Sequence, residues 1–232
     1  MRGELMIKKL SENKMMQNQK IVFLYALIGS IIVFNVGIFM GYMLESSRIE
    51  EINQLYAETE MKILDQITQI NSMSVLEFNC ESLIEENVNF ANDIFEDAQK
   101  ITKYEKANIL NNEIISQHKR FDLLRSLFWV NSMKIKQKCN SDYHNVVYFY
   151  QYNEPTIEQK SRQNVISNLL VELKEKYGNN VMLIPIAGDN DIPSVNLLLE
   201  KYNITELPVI LVDEEIQITD AENLEDVEKY LN

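Results

Sequence analysis

The chain has 232 residues, a formal net charge of −13 at pH 7 and only two cysteines. The excess of acidic residues argues against nucleic acid as a partner, because phosphate binding requires clustered lysine and arginine. Two cysteines are too few for a small disulfide-framework protein, and the length leaves room for one compact domain and additional helices.

The stretch 21–43 is apolar, contains no charged residue and lies between Lys20 and Glu45. As a helix it is long enough to cross a hydrocarbon layer of about 30 Å. A cleaved secretory signal is the alternative, but the stretch is long for a signal-peptide core and no A-x-A-like site follows it. We therefore expect an uncleaved transmembrane helix in the lipid bilayer.

The charges that flank this helix are asymmetric. Five basic residues precede it, whereas Arg48 is the only basic residue among several glutamates directly after it. By the positive-inside rule, the tail 1–20 stays in the cytoplasm and the rest of the chain is exported. The predicted location is the cell membrane, with a single span and an extracytoplasmic C-terminal domain.

Gly37 and Gly41 form a GxxxG motif within the span, and Asn35 lies near mid-depth. Such a face suits a homodimer, because small residues allow close approach and an amide can bond between helices. Glycine is also common in membrane helices that do not pair, so both interpretations stay open.

The segment 44–79 contains neither proline nor glycine and predicts a helical stalk. Ile49, Tyr56, Ile63 and Ile70 recur at intervals of seven residues, although Thr59 and Gln66 interrupt the apolar pattern. This period is typical of a coiled coil with a partner helix. Packing of the stalk on helices further along the same chain is the alternative.

The segment 80–139 predicts an α-helical hairpin. Apolar residues at three- and four-residue steps indicate helices over 82–104 and 108–136, joined by a polar link at 103–107. Folding the hairpin brings Cys80 and Cys139 to one end, so we expect a disulfide, with two free thiols as the alternative. A metal site that includes His118 and His144 is disfavoured, because His118 falls on an apolar helix face.

The segment 140–232 changes to a β-α-β-α-β-β-α pattern. The predicted strands cover 146–150, 181–186, 207–212 and 216–218, and the predicted helices cover 157–177, 194–202 and 224–231. Asp191 is expected to cap the second of these helices, and Asn203-Ile204-Thr205 is an N-glycosylation sequon.

This order of elements, with Pro208 at the head of the third strand, resembles the thioredoxin fold. The closest match is KYNITELPVILV at 201–212, which resembles the thioredoxin segment where a helix ends in a tyrosine and a cis-proline precedes an apolar strand. The resemblance implies an α/β thioredoxin-like C-terminal domain. Together with the anchor and the hairpin, the chain also resembles a set of membrane-anchored archaeal thioredoxin-like proteins.

One departure from the thioredoxin family concerns the chemistry. The family carries C-x-x-C between the first strand and the first helix, where the helix N-terminus activates the first thiol. Ile157 and Lys160 stand roughly at those two positions here, and no cysteine follows Cys139. Dithiol exchange at that site is therefore excluded, and no cofactor is expected.

The resemblance also implies a peptide-binding surface, because the cis-proline loop of the family pairs with extended peptides. The candidate residues are Tyr152, Ile157, Lys160, Leu207 and Pro208. Alternatively, Pro208 only shapes the turn and these side chains pack inward.

We thus predict a redox-inactive, non-enzymatic binding, scaffold or chaperone-like module on the exterior face, with a protein partner in the envelope. The alternative is a thiol-disulfide oxidoreductase that uses Cys80 and Cys139.

Overall fold

The structure, a computed structural model, describes residues 2–107 and 112–231. The chain divides into two units, Met1–Leu55 and Tyr56–Asn232. The helices are α1 (Arg2–Val75), α2 (Cys80–Ala107), α3 (Asn112–Cys139), α4 (Ile157–Tyr177), α5 (Pro193–Lys201) and α6 (Glu225–Glu228). The strands are β1 (His144–Tyr150), β2 (Val181–Ala187), β3 (Val209–Val212) and β4 (Ile216–Ile218).

Among the described residues, one stretch, Ile21–Leu44 in α1, is long and apolar enough to cross a membrane. Its side chains are exposed, as a lipid-facing segment requires. Asn35 Nδ2 donates to the Ile31 carbonyl oxygen over 2.7 Å, which satisfies part of its amide within the helix. An added Cβ at Gly37 or Gly41 would contact no described atom beyond the adjacent residues and the backbone of its own helix, and dimerisation through this face stays a prediction.

The later part of α1 packs on α2 and α3. Lys62 Nζ lies 2.5 Å from Asp97 Oδ2 in α2, and Asn131 Nδ2 of α3 donates to Gln66 Oε1 over 2.8 Å. Gln66 and Thr59, which interrupt the apolar heptad pattern, are both buried. The side chains of Ile49 and Tyr56 lie outside the described residues, so a coiled coil with a partner stays a prediction.

The predicted link of the hairpin was wrong, and the predicted start of its second helix lies outside the described residues. The polar link expected at 103–107 belongs to α2, since lysine and glutamate are compatible with a helix. The helix expected from 108 is described from Asn112, and residues 108–111 lie outside the described residues. The predicted Cys80–Cys139 disulfide is confirmed, with a Cα–Cα distance of 5.4 Å.

The four strands form one mixed sheet in the order β2-β1-β3-β4. β1 pairs in parallel with β2 and antiparallel with β3, and β3 pairs antiparallel with β4. Helices cover both faces, because alternate strand residues point to opposite sides. Tyr148 belongs to a buried cluster with Ile166 of α4, whereas the ring of Phe149 lies 5.8 Å from that of Trp129 in α3. The C-terminal unit therefore contains an α/β domain.

The starts of β3 and α5 differ from the sequence-based expectations, whereas α4 begins where it was predicted. β3 begins at Val209, one residue after Pro208, and the Leu207–Pro208 peptide bond is cis. Asp191 does not cap α5, whose N-cap residue is Ile192 without a side-chain hydrogen bond. Thr156 caps α4 in a capping box with Gln159, which fixes the start of that helix directly after the β1 loop.

Candidate functional site

The candidate site lies at the end of the sheet where β1 and β2 terminate, which we call the candidate edge. The carboxyl ends of parallel strands meet at one edge, so the loops 151–156 and 188–192 lie side by side. β3 runs antiparallel to β1 and therefore begins at this edge, directly after Leu207 and Pro208. Open α/β sheets often bind ligands at the carboxyl ends of their strands.

Asp189 joins the two loops. Its Oδ1 accepts from the backbone N–H of Tyr152, and its Oδ2 accepts from the N–H of Asn153, both over 2.8 Å. Asn153 Nδ2 donates back to the Asp189 carbonyl oxygen over 3.0 Å. The loop after β1 is therefore held in one conformation by the loop after β2.

Asp122 of α3 holds the end of β2 and the loop that follows it. Its buried carboxylate accepts from the Ala187 N–H over 3.2 Å and from Asn190 Nδ2 over 2.8 Å. Burial raises the pKa of Asp122, and electrostatic interactions with His118 and Arg125 oppose that rise. Because the carboxylate bonds two positions around the end of β2, α3 and the β2 loop are fixed to each other.

His118 completes the contact between α3 and the β1 loop. Its buried ring stacks on the ring of Tyr152, with centroids 3.8 Å apart and planes 18° apart. Its Nε2 lies 2.7 Å from the hydroxyl oxygen of Tyr150 and 3.5 Å from Asp122 Oδ2. The apolar helix face on which His118 was predicted is thus a packed interface with the candidate edge.

The five predicted site residues all belong to this edge, but their side chains differ in exposure. Ile157 is 91% exposed at the first position of α4, and Lys160 is also exposed. Tyr152 and Leu207 are half-buried, whereas Pro208 is buried. The side chain of Pro208 therefore offers no surface, and the accessible candidates are Ile157, Lys160 and the edges of Tyr152 and Leu207.

Leu207 has unused backbone hydrogen-bonding groups. Within residues 2–107 and 112–231, no atom accepts from its N–H or donates to its carbonyl oxygen. The residue that would pair with Leu207, Gln151, is already hydrogen-bonded to α4. The side chain of Gln163 accepts from the Gln151 N–H over 2.9 Å and donates to the Gln151 carbonyl over 3.0 Å. Gln151 would otherwise lie opposite Leu207 in a longer β1–β3 ladder, as the register of that pair indicates.

Sequence reasoning missed Asp189, Asn190, Asp122 and Gln163 as residues that build the edge. Asp189 and Asn190 lie in the loop after a buried strand, where side chains meet the neighbouring loop, and that position was an available signal. Asp122 and Gln163 lie within helices, and nothing local in the sequence marks their long-range partners.

The disulfide lies away from this edge, on the side where β1 begins. Cys139 is the last residue of α3 and precedes β1, and Cys80 is the first residue of α2. Both are half-buried. The described part of the chain therefore brings no thiol to the candidate edge.

A second polar cluster surrounds the β3–β4 turn, at the opposite end of the strands. Asp213 and Glu214 both have positive φ, 49° and 63°. Asp213 accepts from Lys136 Nζ and from His144 Nδ1, both over 2.6 Å, and Glu214 Oε1 accepts from Trp129 Nε1 over 2.6 Å.

The surroundings shift the pKa values of the Asp213 and Glu214 carboxyl groups in opposite directions. Burial alone would raise the pKa of Asp213, but the hydrogen bonds from Lys136 and His144 outweigh it and hold the pKa below the usual value. Burial raises the pKa of Glu214. The hydrogen bonds from Trp129 and Asn145 offset only part of that rise, because both donors are uncharged.

Among the described residues, no group of three or more His, Cys, Asp or Glu side chains is arranged to hold a metal ion. The chain matches no protein-family model and no curated protein sequence.

Proposed function

We propose that this chain is a membrane-anchored protein-binding module that holds an extended polypeptide segment at the edge formed by Tyr152, Ile157 and Leu207. The apolar helix at 21–44 is the anchor, and the α/β domain lies on the extracytoplasmic side. The bound polypeptide belongs to another envelope or secreted protein, and the role is that of an adaptor or a holding chaperone.

The unpaired backbone of Leu207 carries this proposal. An N–H and a carbonyl without partners at a sheet edge are the groups to which an extended peptide adds in strand-addition complexes. Because Asp189 holds the β1 loop and Asp122 holds the β2 loop, the edge needs little ordering before a peptide binds, and preorganisation of this kind favours affinity.

The exposed side chain of Ile157 supplies an apolar contact at the same edge. Burying an isoleucine contributes about 1.5–3 kcal/mol, which supplements the two backbone hydrogen bonds. Binding of this type selects for an extended backbone and an apolar side chain rather than for one sequence.

The strand order and the directions of the strands support a thioredoxin-like fold as part of the proposal. A parallel β1–β2 pair followed by an antiparallel β3–β4 hairpin agrees with the element order on which the resemblance rests. With Ile157 and Lys160 at the positions of the family's cysteines, the domain would retain the binding surface without dithiol chemistry.

Polypeptide binding by the full-length protein tests the proposal. We would reconstitute the protein in lipid nanodiscs and titrate it with a fluorescent, carboxymethylated polypeptide that cannot fold. Ile157→Asp should weaken binding about tenfold, or ~1.4 kcal/mol. Val165→Asp is the matched control, because Val165 is 50% exposed on the same helix but lies two turns from the edge. Equal binding by the two variants would refute the proposed edge.

An oxidoreductase that uses Cys80 and Cys139 is the second candidate. It is favoured by the position of Cys80 at the first residue of α2, since a helix N-terminus stabilises a thiolate. This candidate requires a disulfide that mild reductant opens and a double Cys→Ser variant that loses activity toward a reduced, unfolded protein. The binding module requires neither, and it should still bind the carboxymethylated polypeptide, which has no thiol to exchange.

A further inference from the structure

Asn203-Ile204-Thr205 is the only N-x-S/T sequence in the chain that could accept an N-linked glycan. The enzymes that recognise this sequence transfer an oligosaccharide from a lipid-linked pyrophosphate donor to the asparagine side chain. A bond forms between the sugar and Nδ2 as the sugar–phosphate bond breaks, Nδ2 loses a proton, and the lipid pyrophosphate leaves. The acceptor must therefore present Asn203 and Thr205 to a second protein.

Both recognition side chains are accessible. Asn203 and Thr205 are exposed, whereas Ile204 between them is half-buried. Within the described chain, neither the side-chain amide of Asn203 nor the hydroxyl of Thr205 makes a hydrogen bond. An enzyme can therefore engage both side chains without breaking a hydrogen bond that either of them makes.

The backbone at the sequon is a turn that ends α5. Asn203 has φ 53°, a left-handed conformation that asparagine adopts more readily than most residues. Its N–H donates to the Glu200 carbonyl over 3.1 Å, and the Ile204 N–H donates to the Leu199 carbonyl over 2.9 Å. Among the residues that the structure describes, no backbone hydrogen-bond partner is found for Thr205, Glu206 or Leu207, so the ordered turn leads into an open segment.

The turn lies against the edge strand of the sheet. Gln217 of β4 donates from Nε2 to the Tyr202 carbonyl oxygen over 2.5 Å, directly before the sequon. β4 is separated from β1 by β3.

We propose that Asn203 carries an N-linked glycan. The modification rests on the extracytoplasmic orientation in the proposed function, because glycan transfer takes place on the exported side of the membrane. It does not depend on polypeptide binding.

The test is peptide mapping by mass spectrometry of the full-length protein purified from its own membrane. The wild type and Thr205→Ser, which keeps the sequon, should carry a glycan on the peptide that contains Asn203. Thr205→Ala and Asn203→Asp should lose it completely. Asp tolerates the left-handed backbone at 203, so this variant removes the acceptor nitrogen without straining the turn.

Protease added to intact cells separates the two proposals. An accessible C-terminal domain with an unmodified Asn203 would overturn the glycan and leave the orientation intact. A protected domain with an unmodified Asn203 would overturn both. A glycan that persists in Thr205→Ala would also contradict the assignment, because it would lie on another residue.

Discussion

The imidazole of His118 in α3 stacks on the ring of Tyr152 in the loop after β1, with the ring centroids 3.8 Å apart. This contact joins the helical part of the C-terminal unit to the edge at which we place polypeptide binding. The unpaired backbone of Leu207 lies at the same edge, so a change in the position of the β1 loop should alter the surface that a peptide meets.

Replacing Tyr152 tests this relationship. We expect Tyr152→Ala to remove the stacking and to lower the free energy of unfolding by about 1 kcal/mol, the size of an aromatic pair. Tyr152→Phe should keep the ring contact. The measurement is the NMR shift of the His118 ring protons, which the neighbouring ring perturbs. If both variants give the same shift as the wild type, the stacking is absent in solution.

Asp213 and Glu214 are adjacent, but their contributions to the free energy of unfolding depend on pH in opposite ways. The pKa of Asp213 is lowered by Lys136 and His144 despite its burial, so its contribution to stability is present at neutral pH and is lost as the pH falls through the folded-state pKa. Burial raises the pKa of Glu214, so the folded state resists its ionisation and loses stability as the pH rises.

Two amide variants separate these effects. Glu214→Gln keeps the oxygen that accepts from Trp129, and its stability relative to the wild type should rise from acid to neutral pH. Relative to the wild type, Asp213→Asn should become less stable over the same range. Chemical denaturation at several pH values measures both, and parallel curves for the two variants would contradict the opposite shifts.

The disulfide is expected to act as a structural staple. Cys80 and Cys139 are 59 residues apart, and closing a loop of that length contributes about 4 kcal/mol in the chain-entropy model. The double Cys→Ser variant should lose about that amount in denaturant unfolding while retaining polypeptide binding. If the variant loses no stability but loses reductase activity toward an unfolded substrate, the oxidoreductase candidate gains the stronger support.

Replacing Asp97 tests whether the later part of α1 packs on α2 of the same chain. Its buried carboxylate is paired with Lys62 of α1 at 2.5 Å and with Lys100 at 3.3 Å. Asp97→Ala should cost about 2 kcal/mol, because hydrogen bonds to charged groups contribute about that much. Asp93→Ala is the control, since Asp93 is exposed one turn earlier on α2. Equal stability of the two variants would argue that the contact is not formed.

Local patterns in the sequence were sufficient for much of the fold. The boundaries of α4 agree with the predicted helix 157–177, because Thr156 caps its start and Gly178 ends it. The strand at 216–218 also agrees. The helical hairpin with cysteines at its open end led directly to the confirmed disulfide. Each of these features depends on residues close together in the chain.

The candidate edge could be predicted only in part, because its contacts join residues far apart in sequence. Asp191 was expected to cap α5, but the carboxylate that joins the two loops is Asp189, which accepts from backbone N–H groups 36 and 37 residues earlier. Gln66 interrupts the apolar heptads of the stalk, yet it is buried against Asn131, 65 residues later. A periodic pattern reports which face is apolar and cannot show a polar pair that forms across the fold.

Backbone amide exchange at Leu207 in the full-length protein, with and without the carboxymethylated polypeptide, tests the central claim most directly. We expect slower exchange at Leu207 when the polypeptide is present, with no change in the turn at 213–215 on the opposite edge. Binding of the polypeptide with unchanged exchange at Leu207 would contradict strand addition at this edge.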